Sequence, residues 1–246
     1  MCGRFARFSP AHVFRMLFQL DSVPDLNQRY NIAPGQKIYA VRGIPLRENK
    51  EQAKNNDSYQ REMVPLQWGL IPFWADKADI GYKMINARSE TVDSKASFKV
   101  PFQQRRCLIP TDGFYEWEKQ KTGSKQPYFV RMKNKEPFAF AGLWEKWKNP
   151  EKEQEIIESC TILTIDSNDL IEPIHRRMPV IMPQKNYASW LNPNKQDPRE
   201  LKPLIQVYDS QKMEVYPVSR YVNNPQNTGK KCIKPENKGY KQQTLE

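Results

Sequence analysis

The sequence predicts an α+β fold: one domain built on a mostly antiparallel, barrel-like β core with short helices at its periphery. Short runs rich in β-branched and aromatic residues recur along the chain, punctuated by its 20 prolines. These runs outnumber the helical patterns. They do not alternate regularly with helices, as a parallel α/β sheet would require. With 246 residues, of which 38% are hydrophobic and 11% aromatic, the chain can bury one large core. It shows no internal repeat and no interdomain linker.

In chain order, Ser9-Pro10 reads as an N-cap followed by proline at the first helical position. A helix over residues 11–20 follows, with Val13, Phe14, Leu17 and Leu20 as its buried stripe. Strands are expected at residues 37–42, 63–70, 106–109, 114–118, 128–132, 138–144, 160–165 and 180–182. Residues 119–125, with Gly123, read as a hairpin turn. Further short helices are expected at residues 94–103, 185–191 and 199–207. Residues 48–62 are polar and read as a surface loop. Residues 225–246 are rich in Lys, Asn and Gln and read as a flexible tail after a domain spanning 1–224.

The excess of 39 Lys+Arg over 28 Asp+Glu gives a net charge of +11. Such a surface suits a polyanion, and the aromatic content points to nucleic acid, although a basic soluble protein needs no such partner. None of the cysteines Cys2, Cys107, Cys160 and Cys232 falls at metal-ligand spacing from another, and the chain holds only 2 histidines. A structural zinc site is therefore not expected. Cys107 and Cys160 lie in apolar runs and read as small buried hydrophobes. No signal peptide and no apolar run of transmembrane length is evident, so no membrane association is expected. An intracellular, reducing compartment would leave Cys2 a free thiol.

Position 2 carries the most unusual chemistry. Once an aminopeptidase removes Met1, Cys2 bears an α-amine and a thiol two bonds apart. The amine has a pKa of about 7.7–8.0, against about 10.4 for lysine, so near neutrality it is nucleophilic far more often. It condenses with an aldehyde to an imine, and the thiol then closes a thiazolidine ring. Glu116 lies between Tyr115 and Trp117, where a desolvated carboxyl would serve as a general acid. Strand alternation equally allows Glu116 to point to water, opposite its aromatic neighbours. His175 suits proton transfer or a structural role, whereas His12 sits in the first turn of a helix and reads as solvated. Asn86 and Arg88 share one face of an extended segment. Arg4, Arg88 and Arg177 stand near these candidates and suit a phosphodiester. Trp68, Trp74 and Trp117 could stack bases or fill the core.

Nine ordered stretches tie these residues together: Met1-Cys2-Gly3-Arg4, Asn31-Ile32-Ala33-Pro34, Trp68-Gly69-Leu70-Ile71-Pro72-Phe73-Trp74, Asn86-Ala87-Arg88-Ser89-Glu90-Thr91, Arg106-Cys107-Leu108-Ile109-Pro110, Asp112-Gly113-Phe114-Tyr115-Glu116-Trp117, Ala141-Gly142-Leu143-Trp144-Glu145, His175-Arg176-Arg177-Met178-Pro179-Val180 and Val222-Asn223-Asn224. With them the chain resembles the SOS response-associated peptidase (SRAP) family, proteins that crosslink abasic sites in single-stranded DNA. The resemblance implies a single SRAP-like catalytic domain acting as a monomer on abasic single-stranded DNA, without a cofactor. Its location would be cytoplasmic, with the nucleoid, in a bacterium and nuclear in a eukaryote.

It further implies that Cys2 is the covalent nucleophile and that Glu116 and His175 are its acid–base partners. Asn86 would orient the reacting sugar, and Arg4, Arg88 and Arg177 would hold phosphates. Pro34, Trp68 and Trp117 would shape the path of the strand. This chain departs from the family pattern at Arg176, where a polar or acidic residue is usual. It departs again in Thr164-Ile165-Asp166-Ser167-Asn168, which replaces Thr-Thr-x-Ala-Asn. Two other classes are compatible with Cys2. An N-terminal-cysteine amidohydrolase or peptidase would use the thiol as nucleophile and the amine as base. A non-catalytic reader of modified DNA would bind independently of Cys2.

Overall fold

The computed structural model describes residues 2–45, 59–120, 123, 125–152 and 154–236. Its strands are β1 (Phe5–Arg7), β2 (Arg29–Ile32), β3 (Lys37–Pro45), β4 (Tyr59–Trp68), β5 (Asn86–Arg88), β6 (Arg106–Thr111), β7 (Gly113–Lys119), β8 (Lys125–Met132), β9 (Phe138–Lys148), β10 (Ile156–Asp166), β11 (Arg177–Pro179) and β12 (Met213–Pro217). Its α-helices are α1 (Ala11–Phe18), α2 (Ala96–Gln104), α3 (Tyr187–Leu191) and α4 (Pro198–Leu201).

Strands β10, β4, β3, β6 and β9 pair in that order, and β9 pairs back onto β10, closing a barrel. Closure removes the exposed edges that an open sheet would present. Only the β10–β4 seam of this ring is parallel. β5 and β11 extend the far end of β10. A separate five-stranded antiparallel sheet, ordered β12-β8-β7-β1-β2, packs against the barrel. Phe5, Ile32 and Phe114 of the sheet share a core with Leu66, Ile109, Phe140 and Ile162 of the barrel. Phe14 and Phe18 of α1, Phe102 of α2 and Trp190 of α3 cover a second core that includes Leu108, Ala141 and Leu163. The α+β, antiparallel, barrel-like architecture is the one the sequence predicts.

Local departures have physical causes. α1 stops at Phe18 because Gln19 adopts a left-handed conformation, φ 54°. Phe18 replaces Val13 in its buried stripe, and Ser9 hydrogen-bonds Asp112 rather than capping the helix. β4 begins at Tyr59, inside the expected loop 48–62, because Tyr59–Glu62 pair with Arg42–Pro45; residues 48–58 lie outside the described residues. β4 ends at Trp68 because the chain turns at Gly69. There φ is 130° and an added Cβ would sit 2.6 Å from the Gly81 carbonyl oxygen, which only glycine permits.

Instead of a strand at 180–182, the paired strand β11 falls three residues earlier, and Ile181 keeps a single bridge to Phe140. The helix expected at 199–207 is short. Asp197 caps α4 by accepting from the Arg199 amide at 2.8 Å, and Pro203 ends it in a 3₁₀ turn. The turn at 119–125 joins β7 to β8, which pair out to Lys119 and Lys125; within it residues 121, 122 and 124 lie outside the described residues.

The polar segment after residue 224 does not hang free through residue 236. Cys232 is fully buried against a cluster containing Tyr30, Tyr115 and Phe129, and Pro235 bridges Val218. Residues 237–246 of the expected tail lie outside the described residues. Among the described residues no helix is long and apolar enough to cross a membrane.

Candidate active site

Cys2 is placed by strand pairing. β1 runs antiparallel to β7 with Phe5 opposite Phe114, and the Tyr115 amide donates to the Arg4 carbonyl at 3.0 Å. Continued by three residues, this register carries Cys2 toward Glu116 and Trp117. From the barrel side, Asn86 Nδ2 donates to the Cys2 carbonyl oxygen at 2.8 Å. Asn86 is held opposite Ile162 at the start of β5. Cys2 is thus gripped from both sheets and is completely buried, in the core that also holds Phe5, Trp68 and Phe114.

Glu116 is 2% exposed. Alternation turns it to the same side of β7 as Phe114, toward the barrel, whereas Tyr115 and Trp117 turn outward. Its sequence neighbours are therefore not what dries it; the barrel-facing core is. Burial pushes its pKa from 4.5 up to about 7, against the pull of the positive N-terminal amine. A carboxyl that titrates near neutrality can both give and take a proton at working pH. Burial and, next, the nearby Glu116 charge push the Cys2 thiol far up, so it stays protonated.

His175 is half-buried. Burial and the same N-terminal positive charge lower its pKa, which keeps it neutral at pH 7. Its Nδ1 lies 3.0 Å from both the amide nitrogen and the carbonyl oxygen of Arg177, so one tautomer accepts from the former and the other donates to the latter. The Glu116 charge acts on Cys2, so the two lie within electrostatic reach of each other.

The three arginines differ sharply. Arg88, opposite Thr164 on β10, is exposed, and its side chain makes no hydrogen bond or ion pair among the described residues. Arg177 is already committed: it pairs with Glu90 at 2.7 and 3.0 Å and with Asp166 at 2.7 Å, and donates to the Thr164 carbonyl at 2.6 Å. A phosphate at Arg177 has to compete with two carboxylates. Arg4 donates through Nη1 to Asn31 Oδ1 at 2.6 Å and to the Val222 carbonyl at 2.9 Å, with its guanidinium 5.7 Å from the Trp117 ring centre. It clamps the C-terminal segment onto β1.

Trp68 cannot stack a base. It is fully buried, edge-on to Phe5 at 5.3 Å, and its Nε1 donates to the Ile85 carbonyl at 2.9 Å. This corrects its expected place on the strand's path; β4 turns its last side chain into the core. Trp117 is half-exposed and steadied by Asn223, whose Oδ1 accepts from Nε1 at 2.8 Å. Pro34 is half-exposed in a turn whose Gly35 has φ 82° and lies against the Tyr82 ring, 3.2 Å from an added Cβ. Tyr82, against Gly35, is 70% exposed, and the other large exposed rings among the described residues are Phe73 and Trp74, at 59% and 48%. Of these only Trp74 was expected from sequence. The carboxylates of Glu90 and Asp166 and the anchors Asn31 and Asn223 went unassigned because their partners are distant along the chain.

Among the described residues no group of three His, Cys, Asp or Glu side chains is disposed to hold a metal ion. The arrangement supplies a buried thiol, a carboxyl titrating near pH 7, a neutral imidazole and an exposed cation at one end of the barrel.

The chain is similar to known proteins. The SOS response associated peptidase (SRAP) family profile matches residues 1–225. Abasic site processing protein YoqW of Bacillus subtilis is 42% identical over 236 residues, covering 95% of this chain and 99% of that protein. Abasic site processing protein HMCES of Mus musculus is 34% identical over 212 residues, covering 74% of this chain and 59% of that protein. A crystal structure of a protein from Bacteroides thetaiotaomicron superposes with a TM-score of 0.77 at 25% identity, over 96% of this chain and 100% of its own. One from Bordetella bronchiseptica, at 24% identity and a TM-score of 0.71 over 89% of this chain, shares the fold.

Proposed function

From the premise that this chain belongs to the SRAP family, we propose that it processes abasic sites in single-stranded DNA by forming a thiazolidine between Cys2 and the C1′ aldehyde. The observation that carries this reading is a completely buried Cys2, its carbonyl held by Asn86 at 2.8 Å, beside a carboxyl whose pKa is about 7.

Hydrolysis of the Met1–Cys2 bond exposes the α-amine; we assign the proteolysis in the family's name to this bond. Protonated Glu116, with neutral His175, delivers a proton to the ring oxygen as the hemiacetal opens. The neutral amine adds to C1′, and the resulting carbinolamine loses water to give an imine. The thiol then adds across the C=N bond, its proton passing by way of Glu116 to the ring nitrogen. Net, one C–N and one C–S bond form and one water leaves. Because burial keeps the thiol protonated, Glu116 has to take its proton as the sulfur adds to the imine. Such a protonated thiol is the reverse of the thiolate that a cysteine peptidase or amidohydrolase keeps beside a cation.

Exposed Arg88 holds backbone phosphate, and Trp117 and Tyr82 offer ring faces to bases flanking the lesion. The test is the intact mass of the protein after incubation with a single-stranded oligonucleotide carrying one abasic site. The expected product is protein lacking Met1 plus DNA minus one water, stable to heat. A covalent product on protein that retains Met1, or no product at saturating protein, overturns the reading.

A further inference from the structure

The outer face of the five-stranded sheet, turned away from Cys2, carries a groove that the chemistry above does not use. Its volume is about 790 Å³, within the roughly 300–1,000 Å³ of small-ligand sites. Its floor is aromatic: Phe8 and Tyr30 stack with ring centres 5.0 Å apart at 10°, with Tyr216 beside them. Its rim is cationic: Arg131, Lys230, Lys231 and Lys234 line it, and no carboxylate does. Among the described residues, Arg131 is the only one of these in an ion pair, to Glu214 at 2.6 Å.

We propose that this groove is a second nucleic-acid subsite, which holds one nucleotide of the same single strand that enters at Cys2. The proposal rests on the single-stranded DNA reading above. An aromatic floor takes any base by its ring face, and a cationic rim takes the phosphate, the combination that binds single strands without regard to sequence. Continuity supports the same strand as occupant. Trp117, packed by Arg4 near the reacting centre, and Phe8 and Tyr216 at the groove all pack on one buried cluster around Tyr30 and Tyr115. Trp117 and the groove's rings therefore stand on the same side of the sheet, over one buried aromatic cluster. The segment that reads as a polar tail in sequence builds the groove's wall and supplies three of its four cations.

The test uses the triple variant K230A/K231A/K234A, whose side chains are all exposed. Affinity is measured for undamaged single strands of increasing length, and single-turnover crosslinking for the shortest strand that reacts. Wild-type affinity is expected to rise with length, and the variant to lose about tenfold on long strands only. Its log–log salt slope should fall by about 2, roughly 0.7 for each cation removed. Crosslinking of the short strand at saturating protein should be unchanged, and a control triple variant, K146A/K148A/K152A, should bind like wild type. Equal affinity of both triple variants for long strands overturns the proposal. So does a chain ending at Glu236 that binds long strands more tightly and no longer responds to the three substitutions, since the groove then serves the chain's own terminus. Absence of crosslinking by wild type would instead strike the functional reading and leave the length dependence to be read by itself.

Discussion

Glu116 and Trp117 are adjacent in sequence and lie on opposite faces of β7, in opposite environments. The inner face is dry: Glu116, Phe114 and Cys2 are buried with essentially no water around them. The outer face is half-wet, with Trp117 under Arg4 and a cationic groove farther along. Desolvation on one side sets proton affinities. Cations and rings left open on the other, and at Arg88, are the groups that the proposed function assigns to holding a strand. The division implies that rate and binding can be altered separately, and substitutions on each face can break or sharpen it.

The largest effect is expected on the inner face at the chain start. One extra residue before Cys2, resistant to removal, abolishes the heat-stable adduct, because no α-amine adjoins the thiol. Denaturing electrophoresis reads this directly, and an undiminished adduct would show that another group is the nucleophile. Next, Glu116→Gln is expected to slow single-turnover crosslinking by about ten- to ten-thousandfold, the range of a lost general acid–base group. The wild-type rate should vary with pH around the Glu116 pKa of about 7, and the variant should lose that inflection. Matching rates from pH 5 to 9 would remove Glu116 from the chemistry.

The same substitution sharpens the comparison through stability. Folded Glu116 keeps its proton to about pH 7, whereas 4.5 is its ordinary value. Between these values the folded state binds more protons than the unfolded one, so stability falls as pH rises, and the deficit is complete above pH 7. Glu116→Gln should stabilise the protein by on the order of 3 kcal/mol at pH 9 and by little at pH 4. Denaturant unfolding at both pH values decides it; equal gains at both would mean that charge burial is not the cause. The smallest effect concerns the rim. Arg88→Ala should weaken noncovalent binding and reduce the salt slope by about 0.7. Arg177→Ala should change the slope less, because Glu90 and Asp166 already occupy its fork. Salt titrations of the two variants side by side test this, and equal slope changes would contradict it.

Residue chemistry was legible in the sequence where spacing alone decides it. Cys2 beside the chain start, and Asn86 and Arg88 on one face of a strand, needed no long-range information. The barrel followed from many short runs without alternating helices. What stayed hidden depends on which side of a strand is covered. The aromatic flanks of Glu116 proposed a dry carboxyl for the wrong reason, since Tyr115 and Trp117 face away and the barrel dries it. Trp68 and Trp74 are alike in sequence, yet the turn at Gly69 separates a core ring from an exposed one. β1, β2 and β12 are too short and mixed in polarity for a periodic signal. Cys232 sits in a stretch polar enough to read as tail, and only its packing against Tyr30, some two hundred positions earlier, shows otherwise.

The hydrogen bond from Asn86 to the Cys2 carbonyl has a consequence for disorder. The first residue of a chain is ordinarily among its most mobile, and fixing one residue's backbone opposes reaction by about 1–2 kcal/mol. With its carbonyl bonded to one sheet and its strand paired to the other, Cys2 is ordered as the protein folds. In the proposed reaction, loss of Met1 exposes an amine on a residue already immobilised, and the encounter with an aldehyde need not order the chain end.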